Sequence, residues 1–195
     1  AEVYCGQKIT PFNEEQIGVS TPYHPRSSYI EGKRCGEAVC AAARKQGVRA
    51  ISIRLGDIYG PGTRANDKRA LNSFIQRALV NDEIKLLDQG LAKRTYFYIT
   101  DALESIINII IYGKEPVYNV GGEIVTSIAE LAKLIGSITG VEVITPSHEE
   151  NIIGSPPTLQ LNTERLKKEF GYKKNIDLSE GLQRTIEWQK RLYLD

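Results

Sequence analysis

Methionine is absent from this sequence, and cysteine, histidine and tryptophan are scarce. The 195 residues include three cysteines, two histidines and one tryptophan. An odd number of cysteines, without the regular spacing of a disulfide framework, favours reduced thiols and a cytoplasmic location. The two histidines lie far apart in the sequence, so we expect no metal site.

The sequence also lacks a block of like charge and a long apolar run. Lys and Arg number 25 against 24 Asp and Glu, which leaves a net charge of +1. Without a basic cluster, we expect no binding to nucleic acid or to an anionic membrane. The longest apolar run, 106–112, contains Asn108 and is too short to cross a bilayer. No secretory signal opens the chain.

Helix-like and strand-like segments alternate along the chain, which predicts an α/β fold with a mostly parallel sheet. Predicted helices cover 27–46, 67–81, 100–112, 127–139, 162–170 and 179–192. Predicted strands cover 48–55, 84–87, 94–99, 117–120 and 141–144. Residues 1–6 are interpreted as the end of a strand, and 7–26, 56–62 and 145–158 as loops. The expected helix caps are Ser27 or Ser28, Thr100 or Asp101, Asn162, Ser179, and a capping box of Ser127 with Glu130.

The first predicted helix carries a tyrosine and a lysine four residues apart. Tyr29 and Lys33 therefore share one helix face. A phenol normally loses its proton near pH 10, too high for a base at neutral pH, but an adjacent cation favours the phenolate. The pair is suited to removing a proton from a substrate hydroxyl. The alternative is an exposed lysine beside a half-buried tyrosine, because so short a motif is weak evidence by itself.

Several short motifs in order resemble the extended short-chain dehydrogenase/reductases that act on nucleotide sugars, a family of NAD-dependent epimerases and dehydratases. Its members include UDP-glucuronate decarboxylases, dTDP-glucose dehydratases and sugar 4-epimerases. The motifs are Glu2-Val3-Tyr4, Tyr29-x-x-x-Lys33-Arg34, Arg54-x-x-Asp57-x-Tyr59-Gly60-Pro61, Arg94-x-x-x-Tyr98-Ile99-x-Asp101, Tyr118-Asn119-x-Gly121-Gly122, and Phe170-Gly171-Tyr172 followed by Glu180-Gly181-Leu182.

The resemblance implies a partial Rossmann-like parallel sheet with a small α/β substrate-binding lobe. The Rossmann part would comprise 1–60 and 94–122, and the lobe 61–93 and 123–195. The family's glycine-rich NAD loop, Gly-x-x-Gly-x-x-Gly, does not occur in this sequence. The chain is therefore interpreted as the carboxyl-terminal portion of such an enzyme, natural or cut, whose amino-terminal half is missing.

The resemblance also implies roles for individual residues. Tyr29 would take the proton of the sugar C4 hydroxyl while NAD accepts the hydride, and Lys33 would bind the nicotinamide ribose and keep Tyr29 ionised. Glu2 matches an acidic position that assists later chemistry; its alternative is a chain-terminal carboxylate in water. Asn119 would lie near the nicotinamide, or it simply ends a strand.

Four further residues would contact the nucleotide-sugar substrate. Arg94 would grip the diphosphate, for which a guanidinium is suited, and Arg64 is a weaker phosphate candidate; either can instead be a surface cation. Asn72 would touch the nucleotide, unless it is a solvated helix residue. Asp57 stands where the family usually has Asn, so a carboxylate would face the phosphates unless it pairs with Arg54 or Arg94.

Two questions stay open at this level. The segment 155–158, Ser-Pro-Pro-Thr, lacks an arginine that decarboxylases of the family use, so decarboxylation is in doubt and the sugar is undetermined. A different reading is a non-catalytic module that binds a sugar nucleotide or assists assembly; an atypical relative that binds another small molecule is a third. Family members dimerise through the Tyr29 helix, whose stripe Cys35, Val39, Ala42 and Ala43 fits that role or burial within the monomer.

Overall fold

The predicted alternation of strands and helices is present in the structure. A computed structural model describes residues 1–8, 10–146, 158–171 and 175–194. The helices are α1 (Ser27–Lys45), α2 (Ala70–Asn81), α3 (Ile99–Tyr112), α4 (Ile128–Thr139), α5 (Glu164–Phe170) and α6 (Leu178–Tyr193). The strands are β1 (Ser52–Leu55), β2 (Asp57–Tyr59), β3 (Glu83–Lys85), β4 (Lys93–Tyr98), β5 (Val117–Val120), β6 (Val125–Ser127) and β7 (Glu142–Ile144).

Most strand pairs are parallel, as expected. Strand β1 pairs with β5, β2 with β4, and β3 with β7, all in parallel. Strand β6, which the sequence analysis missed, runs antiparallel to β4 on the other side from β2. The parallel register places Asp57 opposite Tyr96 and Tyr59 opposite Tyr98. The α/β fold class is therefore confirmed.

Apolar helix faces build the larger of the cores. The inner face of α2 buries Leu71 and Ile75, and α4 buries Leu131 and Ile135. This spacing of four residues puts each pair on one side of its helix. A second core lies between α3 and strands β4 and β5. The proposed division into a Rossmann part and a lobe stays a prediction.

The opening residues are not the end of a strand. Glu2–Tyr4 form a single 3₁₀ turn, in which the Tyr4 amide donates to the Ala1 carbonyl at 3.0 Å. The Val3 carbonyl accepts a hydrogen bond from the Gly18 amide at 2.8 Å. These local and loop partners replace the strand partner that an extended segment would need.

The loop predicted at 56–62 is in part a strand. Asp57–Tyr59 form β2 because their backbone pairs with Tyr96–Tyr98 across the parallel register. The side chain of Tyr59 is buried. A three-residue strand between two glycines has too little periodicity to be distinguished from a loop in the sequence.

Helix caps were predicted with mixed success. The capping box of Ser127 and Glu130 is confirmed, with both reciprocal hydrogen bonds present. Ser27 lies inside α1 and makes no cap, since the N-cap is Arg26. Helix α5 begins after Thr163, but the side chain of Asn162, the predicted cap, accepts from the Glu164 amide at 2.9 Å. The predicted caps of two other helices were wrong by residue: α3 begins after Tyr98, and α6 after Asp177, whose carboxylate accepts from the Ser179 amide.

The apolar stripe of α1 lies largely on the surface. Val39 is 63% exposed, Cys35 and Ala42 are exposed, and Ala43 is half-buried. Burial within the described chain therefore does not account for the stripe. Across the described ranges, no helix has the length and apolar character to cross a membrane, and no group of three or more His, Cys, Asp or Glu could hold a metal ion.

Candidate active site

A cleft of about 1600 Å³ lies beside α1, strands β1, β2 and β4, and the first turns of α2. Six of the eight residues predicted from the sequence line it, on four different elements and the opening turn. They are Glu2, Tyr29, Lys33, Asp57, Asn72 and Arg94. The fold thus brings together side chains that are up to 92 positions apart in the sequence.

Tyr29 and Lys33 share the cleft-facing side of α1. The Lys33 ammonium lies 5.2 Å from the centroid of the Tyr29 ring, and the Arg26 guanidinium lies 5.8 Å from it on the preceding turn. Tyr29 is 51% exposed, so a substrate can reach its ring. The predicted pairing of phenol and ammonium on one helix face is therefore present at the wall of the cleft.

Glu2 is held at the cleft by an ion pair. Its carboxylate accepts a hydrogen bond from Arg26 Nη2 at 2.7 Å, and its side chain is 21% exposed. This arrangement does not fit a carboxylate held only by water. The ion pair joins the carboxylate, which stands on the opening turn, to the cation beside Tyr29.

Asp57 pairs with Arg94, one of the two partners proposed for it. Its Oδ2 lies 3.9 Å from Arg94 Nε, and the Arg94 side chain is only 12% exposed. Burial raises the pKa of the Asp57 carboxyl above its ordinary value, and the charges of Arg94 and Arg69 oppose that rise. A carboxylate and a guanidinium thus share the part of the cleft expected to receive the substrate's phosphates.

Arg69 is a cleft residue that the sequence analysis missed. Its guanidinium donates to Asp67 Oδ1 from Nε at 3.0 Å, to Asp67 Oδ2 from Nη2 at 2.6 Å, and to the Ile58 carbonyl at 3.3 Å. These hydrogen bonds are the main reason why the pKa of Asp67 is lowered. The run Asn-Asp-Lys-Arg at 66–69 was the available signal, but charged runs before helices are common.

Asn72 is buried rather than solvated. It is 2% exposed and accepts a hydrogen bond from Gln189 Nε2 at 3.0 Å. Its alternative reading as a solvated helix residue is therefore wrong. The contact links α2, which lines the cleft, to α6 on the far side of the core.

A buried polar network fastens α1 to the sheet. Arg54 donates to both carboxylate oxygens of Glu37, at 2.7 and 2.8 Å, and to the Tyr4 hydroxyl at 2.7 Å. Burial alone would lower the pKa of Arg54, but its hydrogen bonds to Glu37 and Tyr4 outweigh burial and raise it. Glu37 lies one helical turn after Lys33, so this ion pair fixes which face of α1 lines the cleft.

Two predicted site residues do not line the cleft. Asn119 is fully buried; its amide donates to the carbonyls of Phe12 and Asn162, and its Oδ1 accepts from the Tyr4 hydroxyl. Arg64 is exposed on the loop after β2. The Ser-Pro-Pro segment at 155–157 lies outside the described residues.

The parallel strand pairs, the flanking helices and a tyrosine–lysine helix on the wall of a cleft define a Rossmann-like α/β protein. Residues 1–121 match the description NAD dependent epimerase/dehydratase family. That match covers more than half of the sequence, and the chain belongs to this family.

Relatives and solved structures agree with this placement. UDP-glucuronic acid decarboxylase 1 of Xenopus tropicalis is 27% identical over 196 residues, which cover 98% of this chain and 45% of the relative. UDP-glucose 4-epimerase of Thermotoga maritima, solved with UDP-glucose, superposes with a TM-score of 0.84 at 24% identity, over 100% of this chain and 62% of that one. UDP-glucuronic acid 4-epimerase of Bacillus cereus, solved with UDP-glucuronic acid and NAD, gives 0.84 at 24%, over 99% and 60%. The chain spans about half the length of the curated relatives it matches.

Proposed function

We propose that this chain is part of an NAD-dependent oxidoreductase of the nucleotide-sugar epimerase/dehydratase type, whose first step oxidises C4 of a UDP- or dTDP-sugar. The observation that carries the proposal is the Tyr29–Lys33 pair on the wall of the cleft, with the ammonium 5.2 Å from the ring centroid. The family assignment supports the reaction class, and the size of the cleft, about 1600 Å³, is ample for a nucleotide sugar.

In this mechanism Tyr29 is the general base. Its oxygen accepts the proton of the C4 hydroxyl, and Lys33 stabilises the negative charge on that oxygen while it donates to the hydroxyls of the nicotinamide ribose. NAD, when bound, supplies the hydride acceptor. The half-exposed tyrosine with a lysine one turn on fits a ribose beside it, whereas the glycine-rich turn for the pyrophosphate is not in this sequence.

Other residues of the cleft would hold the substrate or act after the oxidation. Arg94 would bind the diphosphate from beside Asp57, and Asn72 would contact the nucleotide from α2. Glu2, oriented by Arg26, would exchange protons in the later steps. Whether those steps return the hydride to the other face, remove water or release carbon dioxide depends on the sugar.

A second candidate is a non-catalytic module that binds a sugar nucleotide or assists assembly. It is favoured by Asp57, because a carboxylate beside Arg94 reduces the positive charge available to a diphosphate. The two candidates differ in one respect that can be measured: only the enzyme needs the Tyr29 hydroxyl.

The Tyr29→Phe variant of the full-length protein tests the choice. We expect kcat with UDP-glucose, UDP-glucuronate or dTDP-glucose to fall by about 10² to 10⁴-fold, the usual contribution of a general base, while nucleotide-sugar affinity is retained. Tyr23→Phe is the matched control, since Tyr23 is 95% exposed and does not line the cleft. Absence of turnover by the wild type with all three sugars, together with tight binding, would favour the non-catalytic module.

We also propose that the full-length protein dimerises through α1. The support is the exposed stripe of small and apolar side chains around Val39, which the described chain leaves uncovered. Light scattering during size-exclusion chromatography of the full-length protein measures the mass directly. A monomer that persists at micromolar concentration would refute this proposal.

A further inference from the structure

Arg34, the residue after Lys33, joins two chain segments beneath α1. Its guanidinium donates to the Val3 carbonyl from Nε at 3.3 Å and from Nη2 at 3.2 Å. The same Nη2 donates to the carbonyl of Cys5 at 3.2 Å and of Gly18 at 2.6 Å. One side chain of the Tyr29 helix thus binds backbone from both the opening turn and the loop at 18–20.

Two side chains also accept hydrogen bonds from the Arg34 guanidinium. Nη1 donates to Glu31 Oε1 at 2.7 Å and to Ser20 Oγ at 3.0 Å. The Arg34 side chain is 16% exposed, so water competes little for these bonds. A planar fork with five N–H donors reaches diverging acceptors that a single ammonium cannot satisfy together.

The two segments that Arg34 joins are in close backbone contact at Gly18. A Cβ atom on Gly18 would lie 1.9 Å from the Cys5 carbonyl oxygen, so only glycine allows the approach. The Gly18 amide donates to the Val3 carbonyl at 2.8 Å, which gives that oxygen a second partner besides Arg34. The backbone on both sides of the opening turn is therefore tied to α1.

That turn carries Glu2, next to Val3. The Glu2 carboxylate reaches Arg26 at 2.7 Å, and the Arg26 guanidinium lies 5.8 Å from the Tyr29 ring centroid. Arg34 and Tyr29 stand on the same helix. The bonds from Arg34 to Val3 therefore join the turn that carries Glu2 to the helix that carries Tyr29. They add to the contacts that Arg54 and Asn119 make with Tyr4 on the same turn.

We propose that Arg34 is a positioning residue that holds Glu2 at its working distance from Tyr29. The inference rests on the proposed function, in which Glu2 transfers protons after the oxidation at Tyr29. Arg34 does not line the cleft, and in this proposal it acts only through the turn that carries Glu2.

Arg34→Lys in the full-length protein is the direct test, assayed with UDP-glucose and UDP-glucuronate. We expect kcat to fall on the order of ten- to a hundred-fold, as for a displaced catalytic group, with KM nearly unchanged. If Arg34 acts through Glu2, the substitution should cause little further loss in a Glu2→Gln background. Arg44→Lys is the matched control, because Arg44 lies on the same helix and donates to the carbonyls of Ala50 and Lys114.

A milder variant covers the case in which Arg34→Lys does not fold. Glu31→Gln removes the charge that orients the guanidinium, and the Glu31 side chain is 51% exposed, so folding should be retained. We expect kcat to fall by about two- to five-fold, the effect of one exposed ion pair. This loss should likewise disappear in the Glu2→Gln background.

Three results would overturn the proposal. They are an undiminished loss in the Glu2→Gln background, an effect on KM alone, or wild-type kcat in every folded variant at Arg34 and Glu31. If the wild type has no turnover, the proposed function fails, and amide hydrogen exchange decides the positioning role. Amide exchange at residues 3–5 should then be faster in whichever of Arg34→Lys and Glu31→Gln folds, and unchanged in Arg44→Lys. Unchanged exchange in the folded Arg34 or Glu31 variant would refute the positioning role.

Discussion

Single residues in the cleft act mainly as charge pairs. Three of its arginines are within 2.7 Å of a carboxylate, and a fourth, Arg94, has one 3.9 Å away. The three short pairs are Arg26–Glu2, Arg54–Glu37 and Arg69–Asp67. Spacing within a sequence does not show such pairs, since the partners in three of these four are 17 or more positions apart. Tyr29 and Lys33 were found because a helix face is a local property.

Asp57 and Asp67, which both line the cleft, should affect stability in opposite directions. Burial raises the pKa of Asp57, so its folded state disfavours the charged form and it costs stability above its folded pKa. The hydrogen bonds from Arg69 lower the pKa of Asp67, so Asp67 contributes stability that is lost as pH falls through its folded pKa.

We therefore expect Asp57→Asn to raise the free energy of unfolding at pH 7. Between about pH 3.9, the ordinary aspartate pKa, and neutrality, the variant should lose less stability with rising pH than the wild type. Asp67→Asn should lower stability at pH 7, and its difference from the wild type should shrink in acid. Urea unfolding between pH 4 and 7 measures both. Equal or lower stability of Asp57→Asn at pH 7 would contradict the expectation.

At the scale of elements, close helix–strand approach depends on one glycine. Helix α6 lies against β2 and β4 at Gly181, where a Cβ would be 2.1 Å from the Tyr59 hydroxyl oxygen and 2.9 Å from Tyr98 Cδ2. Both rings are 4% exposed, so neither can turn into solvent. The motif Glu180-Gly181-Leu182 was noticed as part of a resemblance, and the structure supplies its steric reason.

Gly181→Ala should accordingly destabilise the protein. Overpacking of this kind typically costs about 1–3 kcal/mol, measurable as a lower midpoint in urea. Gly32→Ala provides the opposite control: Gly32 lies in the middle of α1 with open space at its Cβ position, so alanine should raise stability by about 0.5–1 kcal/mol. Equal effects of the two substitutions would be inconsistent with the close approach.

For the whole molecule, the central fact is that the chain spans about half the length of the relatives it matches. Its cleft contains the candidate base, Tyr29, and one candidate phosphate ligand, Arg94. The glycine-rich turn that would place a pyrophosphate at a helix N-terminus is not among its 195 residues. We therefore expect this chain by itself and the full-length protein to differ in cofactor binding and in catalysis.

We expect this 195-residue chain to bind NAD only weakly. Calorimetric titration at micromolar concentrations should give no saturable heat for the chain, and a saturable one for the full-length protein. Tight binding by the chain itself would show that its own residues suffice to hold the dinucleotide. It would also remove the reason for assigning the pyrophosphate site elsewhere.

Local sequence patterns were enough to predict the α/β class, most helix positions, the capping box at Ser127 and the shared face of Tyr29 and Lys33. Each of these follows from interactions between residues a few positions apart. The packing of distant segments was needed to show that Glu2 lies on a 3₁₀ turn and that Arg54 pairs with Glu37. It was also needed to show that Arg94 lies beside Asp57 and that the Asn119 amide donates to two backbone carbonyls. Those outcomes depend on which distant segments pack together, because a polar group takes its partner from whatever the fold places beside it.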